Sequence, residues 1–170
     1  MLYVITGVRG AGKTTLIDSI KRQQVATILQ PSTTRPRRFK GEAEYNFVRK
    51  WDLEKYAWTI EYGGYNYGMR KSEIERSINT FCFTVFEPTS IDIFYNYRAN
   101  ERLDAKVIGL DTIRNLKQQQ SRVDMLPSRM MTAEQFEAAL RKTRDADICI
   151  DGDADEILSK IKQLVQPSET

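Results

Sequence analysis

The segment Gly7–Thr14 constrains the fold of this chain more than any other. It reads Gly-Val-Arg-Gly-Ala-Gly-Lys-Thr and fits the pattern GxxxxGK[ST]. The apolar run Met1–Thr6 before it predicts a buried strand, and the spacing of Leu16, Ile17 and Ile20 after it predicts a helix. In a strand, glycine loop and helix of this kind, backbone N–H groups and the helix N-terminus surround phosphate oxygens. The segment therefore predicts a nucleoside triphosphate site.

Side chains of this loop have separate predicted roles. Lys13 is placed to reach the β- and γ-phosphates as a catalytic cation, and the Thr14 hydroxyl to ligate Mg²⁺. ATP and Mg²⁺ are the expected cofactors, and the residues predicted to bind the nucleotide are Gly7, Gly10, Ala11, Gly12, Lys13, Thr14 and Thr15. GTPase switches, motors and small-molecule kinases share such a loop, so the acceptor has to be sought elsewhere in the chain.

Short continuous apolar runs alternate with helical segments along the rest of the chain. The further predicted strands are Val25–Leu29, Phe81–Phe86, Val107–Leu110 and Ile148–Ile150. The further predicted helices are Lys71–Ile78, Ile91–Asn100, Thr132–Arg144 and Ala154–Leu164. Strands of this composition suit a parallel sheet covered on both faces. The pattern predicts a three-layer α/β fold with a parallel central sheet.

The length of 170 residues predicts a single domain. Two regions interrupt the alternation of strands and helices and each follows a predicted strand, so both are placed at the ligand edge of the sheet. We expect a core of residues 1–30, 81–110 and 132–170, an acceptor-binding insertion at 31–80 and a lid at 111–131.

Composition excludes several chemistries. The chain has no histidine, which removes histidine bases, His-ligated zinc and serine–histidine triads. Cys82 and Cys149 lie in apolar runs, so we expect two buried free thiols. The net charge of +3 is too small to indicate a nucleic-acid surface. No apolar run suits a membrane span or a signal peptide, which predicts a cytoplasmic protein with no membrane partner. The sequence leaves open whether the protein forms a homodimer.

A series of motifs follows the second predicted strand. It begins with Thr33-Thr34-Arg35-Pro36-Arg37-Arg38 and Gly41-Glu42, and continues with Tyr45-Asn46-Phe47-Val48 and Gly64-Tyr65-Asn66-Tyr67-Gly68. Together with the phosphate loop, this series resembles the guanylate kinase family in order and spacing from residue 1 to about residue 80. The resemblance implies ATP-dependent phosphoryl transfer to a nucleoside 5′-monophosphate, with GMP or dGMP converted to GDP or dGDP.

The resemblance also implies how the acceptor is held. Arg35 and Arg38 correspond to arginines that bind the acceptor phosphate, and Arg35 is also expected to act in catalysis. Tyr45 and Tyr67 correspond to tyrosines that hydrogen-bond the same phosphate. This agrees with the chemistry of the side chains, since guanidinium groups bind phosphate bidentately.

The base-reading part of the family pattern is altered. Trp58 stands at the position of the base-reading glutamate, Met69 replaces a serine or threonine, and Val85 replaces the first aspartate of a D-x-D pattern. Glu61 and Glu87 are the two carboxylates that remain as candidates to bind guanine.

The predicted lid carries the remaining candidate cations. Arg114 and Arg129 fall at the positions of family arginines that cover the donor phosphates, so both are expected to be catalytic. Two alternatives to a guanylate kinase stay open. One is a kinase of the same fold acting on another (deoxy)nucleotide or a phosphorylated sugar, and the other is a non-catalytic binding module.

Overall fold

The computed structural model describes residues 1–122 and 130–166, which form two separate sheets. The strands are β1 (Leu2–Thr6), β2 (Thr27–Ile28), β3 (Ser32–Thr33), β4 (Asn46–Phe47), β5 (Tyr56–Tyr62), β6 (Tyr65–Arg70), β7 (Cys82–Val85), β8 (Ala105–Leu110) and β9 (Ile148–Ile150). The central sheet is parallel in the order β2-β7-β1-β8-β9, and the second sheet is mixed in the order β4-β3-β6-β5. The predicted α/β fold with a parallel central sheet is confirmed.

Most helices follow strands of the central sheet in the chain, whereas α2 follows the second sheet and α6 follows the last strand, β9. They are α1 (Lys13–Arg22), α2 (Lys71–Glu75), α3 (Ile91–Glu101), α4 (Leu116–Arg122), α5 (Ala133–Arg144) and α6 (Ala154–Val165). Short 3-10 turns occur at Leu53–Lys55 and Pro88–Ser90. Capping boxes start the two helices near the C-terminus, with Thr132 capping α5 and Asp153 capping α6. No helix within the described ranges is long and apolar enough to cross a bilayer.

The strand β1 separates two hydrophobic clusters, because its side chains alternate between the two faces of the central sheet. Tyr3 and Ile5 face a cluster that includes helices α1, α5 and α6. Leu2 and Val4 face a second cluster, which contains Phe94 of α3 and also side chains of the second sheet. The two sheets therefore share buried apolar side chains.

One predicted burial is wrong. Cys82 is buried and free, but Cys149 is free and exposed. Strand β9 is a three-residue strand at the edge of the central sheet. Alternation along it directs Ile150 into the core and leaves Cys149 in contact with solvent. An apolar neighbourhood in the sequence does not distinguish the two faces of an edge strand.

Candidate active site

Four loops meet at one edge of the central sheet. Strands β1, β7, β8 and β9 are parallel, so their carboxyl ends lie together, at the edge where open α/β sheets bind ligands. Gly7–Thr14 follows β1, and Glu87 lies just beyond β7. The residues Asp111–Ile113 follow β8, and Asp151 follows β9.

The loop after β1 has the geometry of a phosphate cradle. Gly10 (φ +80°) and Gly12 (φ +94°) adopt the left-handed conformation that favours glycine. The Thr112 hydroxyl donates a 2.8 Å hydrogen bond to the Ala11 carbonyl, which ties the loop to the segment after β8. Because α1 begins at Lys13, its N-terminus faces the same space. These features fit the phosphate chain of a nucleotide.

The Lys13 ammonium group is folded back over this loop. It donates to the Gly7 carbonyl and, at 3.2 Å, to the Val8 carbonyl. Burial lowers the pKa of Lys13, while the nearby carboxylate of Glu87 acts in the opposite direction. Within the part of the chain that the structure describes, the hydrogen bonds of this ammonium group go to neutral carbonyl groups, which phosphate oxygens can replace when they enter the loop.

The loop also offers one ligand for Mg²⁺. Thr14 and Thr15 are exposed at the start of α1, and a threonine hydroxyl at this position suits a hard cation. Within the described ranges, no three His, Cys, Asp or Glu side chains lie close enough together to hold a metal ion. The donor set therefore fits an ion held by Thr14 together with the phosphates of a nucleotide.

Arg35 and Glu42 form a buried ion pair beside the second sheet. The side chains of Arg35 and Glu42 are 9% and 2% exposed, and Nη2 of Arg35 lies 2.7 Å from Oε1 of Glu42. Nη1 of Arg35 donates to Oε2 of Glu42 at 3.3 Å and to the Pro36 carbonyl at 2.8 Å. Glu42 also accepts the backbone N–H of Arg38 at 2.7 Å. The hydrogen bonds from Arg35 hold the pKa of Glu42 below its usual value.

The Nε atom of Arg35 has no partner in this arrangement. It is buried without a hydrogen-bond partner among the described residues, whereas Nη1 and Nη2 together make three hydrogen bonds, to Pro36 and Glu42. The guanidinium group lies 5.7 Å from the ring centre of Tyr45 and 5.5 Å from that of Phe47. A buried donor without a partner costs free energy, so an oxyanion bound here would remove that cost.

Tyr45 lies next to the Arg35 guanidinium group, and Tyr67 contacts Tyr45. The rings of Tyr45 and Tyr67 are in edge-to-face contact, with centres 5.7 Å apart. Burial, and then the charge of Glu87, raise the pKa of Tyr45 to about 12, so its phenol remains a proton donor at neutral pH. Glu87 is exposed and acts electrostatically on both Lys13 and Tyr45. It therefore lies within electrostatic reach of both side chains.

Glu61 lies on the other side of the second sheet. Strands β5 and β6 pair Glu61 with Asn66 and Ile60 with Tyr67. Directly opposed residues share a face of an antiparallel pair, and successive residues alternate. Glu61 and Tyr67 are therefore on opposite faces, and the structure does not bring Glu61 together with Glu87 at the Tyr67 face.

The remaining candidate residues lie at the margin of the site. Arg38 is exposed. The side chain of Arg114 is 77% exposed, and its Nη2 lies 3.7 Å from Oδ2 of Asp151, which follows β9 at the carboxyl end of the central sheet. Arg129 lies outside the described residues.

Two residues of the site were not predicted from sequence. The quoted Gly41-Glu42 motif contained Glu42, but nothing in the sequence indicated that its carboxylate would be buried against Arg35. The Thr112 hydroxyl that holds the phosphate loop lies in a segment with no motif.

Comparison with known proteins supports the fold. The crystal structure of guanylate kinase from Anaplasma phagocytophilum matches with a TM-score of 0.66 and 16% sequence identity, over 97% of this chain and 84% of that chain. No family model and no curated protein matches the sequence. The chain therefore has the fold of a guanylate kinase, with a parallel sheet of five strands and a separate mixed sheet.

Proposed function

We propose that this protein is an ATP-dependent kinase that transfers the γ-phosphoryl group of ATP to the phosphate of a small phosphorylated acceptor. The observation that carries the proposal is the Arg35 guanidinium group, whose Nε has no hydrogen-bond partner among the described residues and which lies against Tyr45, itself in contact with Tyr67. Glu87 lies within electrostatic reach of both Lys13 and Tyr45. A candidate oxyanion site near the loop that carries Lys13 suits transfer between two phosphates better than hydrolysis or simple binding.

Each side chain has a role that follows from its position. Lys13 neutralises charge on the phosphoryl group in transit, and Arg35 with Tyr45 and Tyr67 orients the acceptor phosphate. Bound Mg²⁺ would neutralise the donor phosphates from the Thr14 side of the loop. A phosphate oxygen is already a nucleophile at neutral pH, so no general base is required. Catalysis then depends on positioning and charge neutralisation.

The family resemblance and the packing of the second sheet favour different acceptors. The resemblance implies GMP or dGMP, because Arg35, Arg38, Tyr45 and Tyr67 follow the family's pattern of phosphate-binding residues. Another (deoxy)nucleotide or a phosphorylated sugar would use the same grip. The packing of Trp58, described below, is the observation that favours this second group of acceptors.

Release of ADP tests the proposal. The purified protein is incubated with Mg·ATP and with GMP, dGMP, AMP, dTMP and ribose phosphates in turn, and ADP is detected by a coupled assay. We expect at least one acceptor to raise ADP release well above the rate without acceptor. The Lys13→Ala protein serves as the control for contaminating kinases.

Two results would contradict the proposal. Equal ADP release with and without every acceptor would exclude a kinase of this kind. Absence of Mg·ATP binding in calorimetry would indicate a binding module, which is the reading that the substitution of Val85 for an aspartate supports.

A further inference from the structure

We propose that the acceptor carries no purine base and is a phosphorylated sugar, because Trp58 and Met69 fill the space next to the acceptor phosphate. This inference rests on the proposed kinase function. The reaction would form a bond between an oxygen of the sugar phosphate and the γ-phosphorus of ATP. The bridging bond from that phosphorus to the β-phosphate oxygen breaks, and ADP leaves with the electron pair. The product is a sugar diphosphate.

The register of the hairpin formed by β5 and β6 places Trp58 and Met69 on the same face as Tyr67. Trp58 is opposed to Met69, and Ile60 to Tyr67. These four side chains therefore share one face, which is the face that carries the phosphate grip at Tyr67. Met69 and Trp58 are the next side chains along this face from Tyr67 towards the start of β5.

This end of the face is closed by buried side chains. Met69 is 1% exposed and Trp58 is 7% exposed. The indole ring centre lies 5.8 Å from that of Phe86, 5.3 Å from Phe94 and 5.3 Å from Tyr97. The aromatic side chains of the second sheet and of the core thus occupy the volume into which a planar base would have to enter.

The side chains at the closed end offer no hydrogen-bond partners for a purine. A purine edge needs several matched donors and acceptors, and a site that lacks them rejects the base because its polar groups stay unpaired. Trp58, Met69 and Phe86 have side chains that do not accept from purine N–H groups. Glu87 is exposed just beyond β7, and its carboxylate can accept hydrogen bonds from the hydroxyl groups of a sugar.

Binding measurements test the inference without requiring turnover. Dissociation constants of inorganic phosphate, ribose 1-phosphate, ribose 5-phosphate and GMP are measured by calorimetry in the presence of Mg·ADP. We expect GMP to bind no more tightly than the better ribose phosphate, within about threefold. Binding of GMP tighter than the better ribose phosphate by more than about threefold would overturn the inference, as would failure of all four to bind. If the ribose phosphates bind as expected but no ADP forms from ATP, only the kinase proposal fails.

Two tryptophan variants test whether Trp58 limits the affinity for GMP. Trp58→Ala opens the closed end, and we expect it to raise the affinity for GMP relative to ribose 5-phosphate at least tenfold. Trp51 stacks on Tyr56 with ring centres 3.9 Å apart, on the opposite face of the hairpin next to Gly68. Trp51→Ala should therefore leave the ratio of the two affinities unchanged. An unchanged ratio in Trp58→Ala would overturn the inference. If that protein does not fold by circular dichroism, Met69→Ser makes the same comparison with a smaller loss of volume.

Discussion

The buried pair of Arg35 and Glu42 makes the change Glu42→Gln a sensitive test of how the acceptor side is built. The substitution keeps the shape of the side chain but leaves the buried guanidinium group without a counter-charge. Removal of one member of a buried ion pair costs about 3–5 kcal/mol. Glutamine retains one acceptor oxygen, so we expect the lower end, about 3 kcal/mol of unfolding free energy. For a chain of 170 residues, this lowers the melting temperature by about 6–12 °C.

The pH dependence of this loss provides the decisive measurement. The pKa of Glu42 lies below its ordinary value of 4.5 in the folded protein, so the carboxylate stabilises the fold above that pH. This stabilisation is lost as the pH falls through the folded pKa. Urea unfolding should therefore show a constant difference between wild type and Glu42→Gln at about pH 6–8, and a shrinking difference as the pH falls below 4.5.

The neighbouring glutamate supplies the control. Glu44 is exposed two residues further along, and Glu44→Gln should change the unfolding free energy by no more than about 0.5 kcal/mol. Equal stability of Glu42→Gln and wild type at neutral pH would refute the reasoning. A difference that persists unchanged to about pH 3 would show that the loss is not electrostatic.

Three further changes test the donor loop, the acceptor grip and the core. Lys13→Ala is expected to lower kcat about 10²–10³-fold with little change in melting temperature; near-normal turnover in the coupled ADP assay would contradict the assigned role. Arg35→Lys keeps a charge next to Glu42 but loses the guanidinium fork, so KM should rise about 10–100-fold for every phosphorylated acceptor alike. Arg37→Lys, whose parent guanidinium lies on the Phe47 ring at 4.5 Å, is the control and should leave KM unchanged. A Cβ atom at Gly109 would lie 1.9 Å from the Thr143 carbonyl oxygen, so Gly109→Ala should cost about 1–3 kcal/mol, and an unchanged melting temperature would show that α5 can shift.

Local patterns were sufficient to predict the fold class and the position of the phosphate loop. Met1–Thr6 and Phe81–Phe86 are short for buried helices and too apolar for surface strands, so they suit a parallel sheet covered on both faces. The observed strands Leu2–Thr6 and Cys82–Val85 lie inside these runs. The glycines of the loop after the first strand need conformations that few other residues adopt. Neither inference required knowledge of distant contacts.

The candidate acceptor site depends on strand register and on side-chain contacts that residue types alone do not specify. The strand register shifts at a bulge between Tyr56 and Trp58, and this register decides that Glu61 faces away from Tyr67. A single-residue slip would exchange the two faces of the hairpin. The burial of Glu42 likewise depends on where a loop folds over Arg35. Patterns of residue type cannot fix either feature, because both arise from packing between segments.

The hydrophobic cluster shared by the two sheets has a consequence for binding kinetics. Trp58, Met69 and Ile74 pack in one cluster with Phe86 and Phe94 of the core. Swinging the second sheet away from the core would expose these three side chains, at about 1.5–3 kcal/mol each. An open form that costs about 5–9 kcal/mol has a population of about 10⁻⁴ or less. We therefore expect acceptors to bind to the closed form, with an observed rate that rises linearly with concentration; a plateau would show that opening has to precede binding.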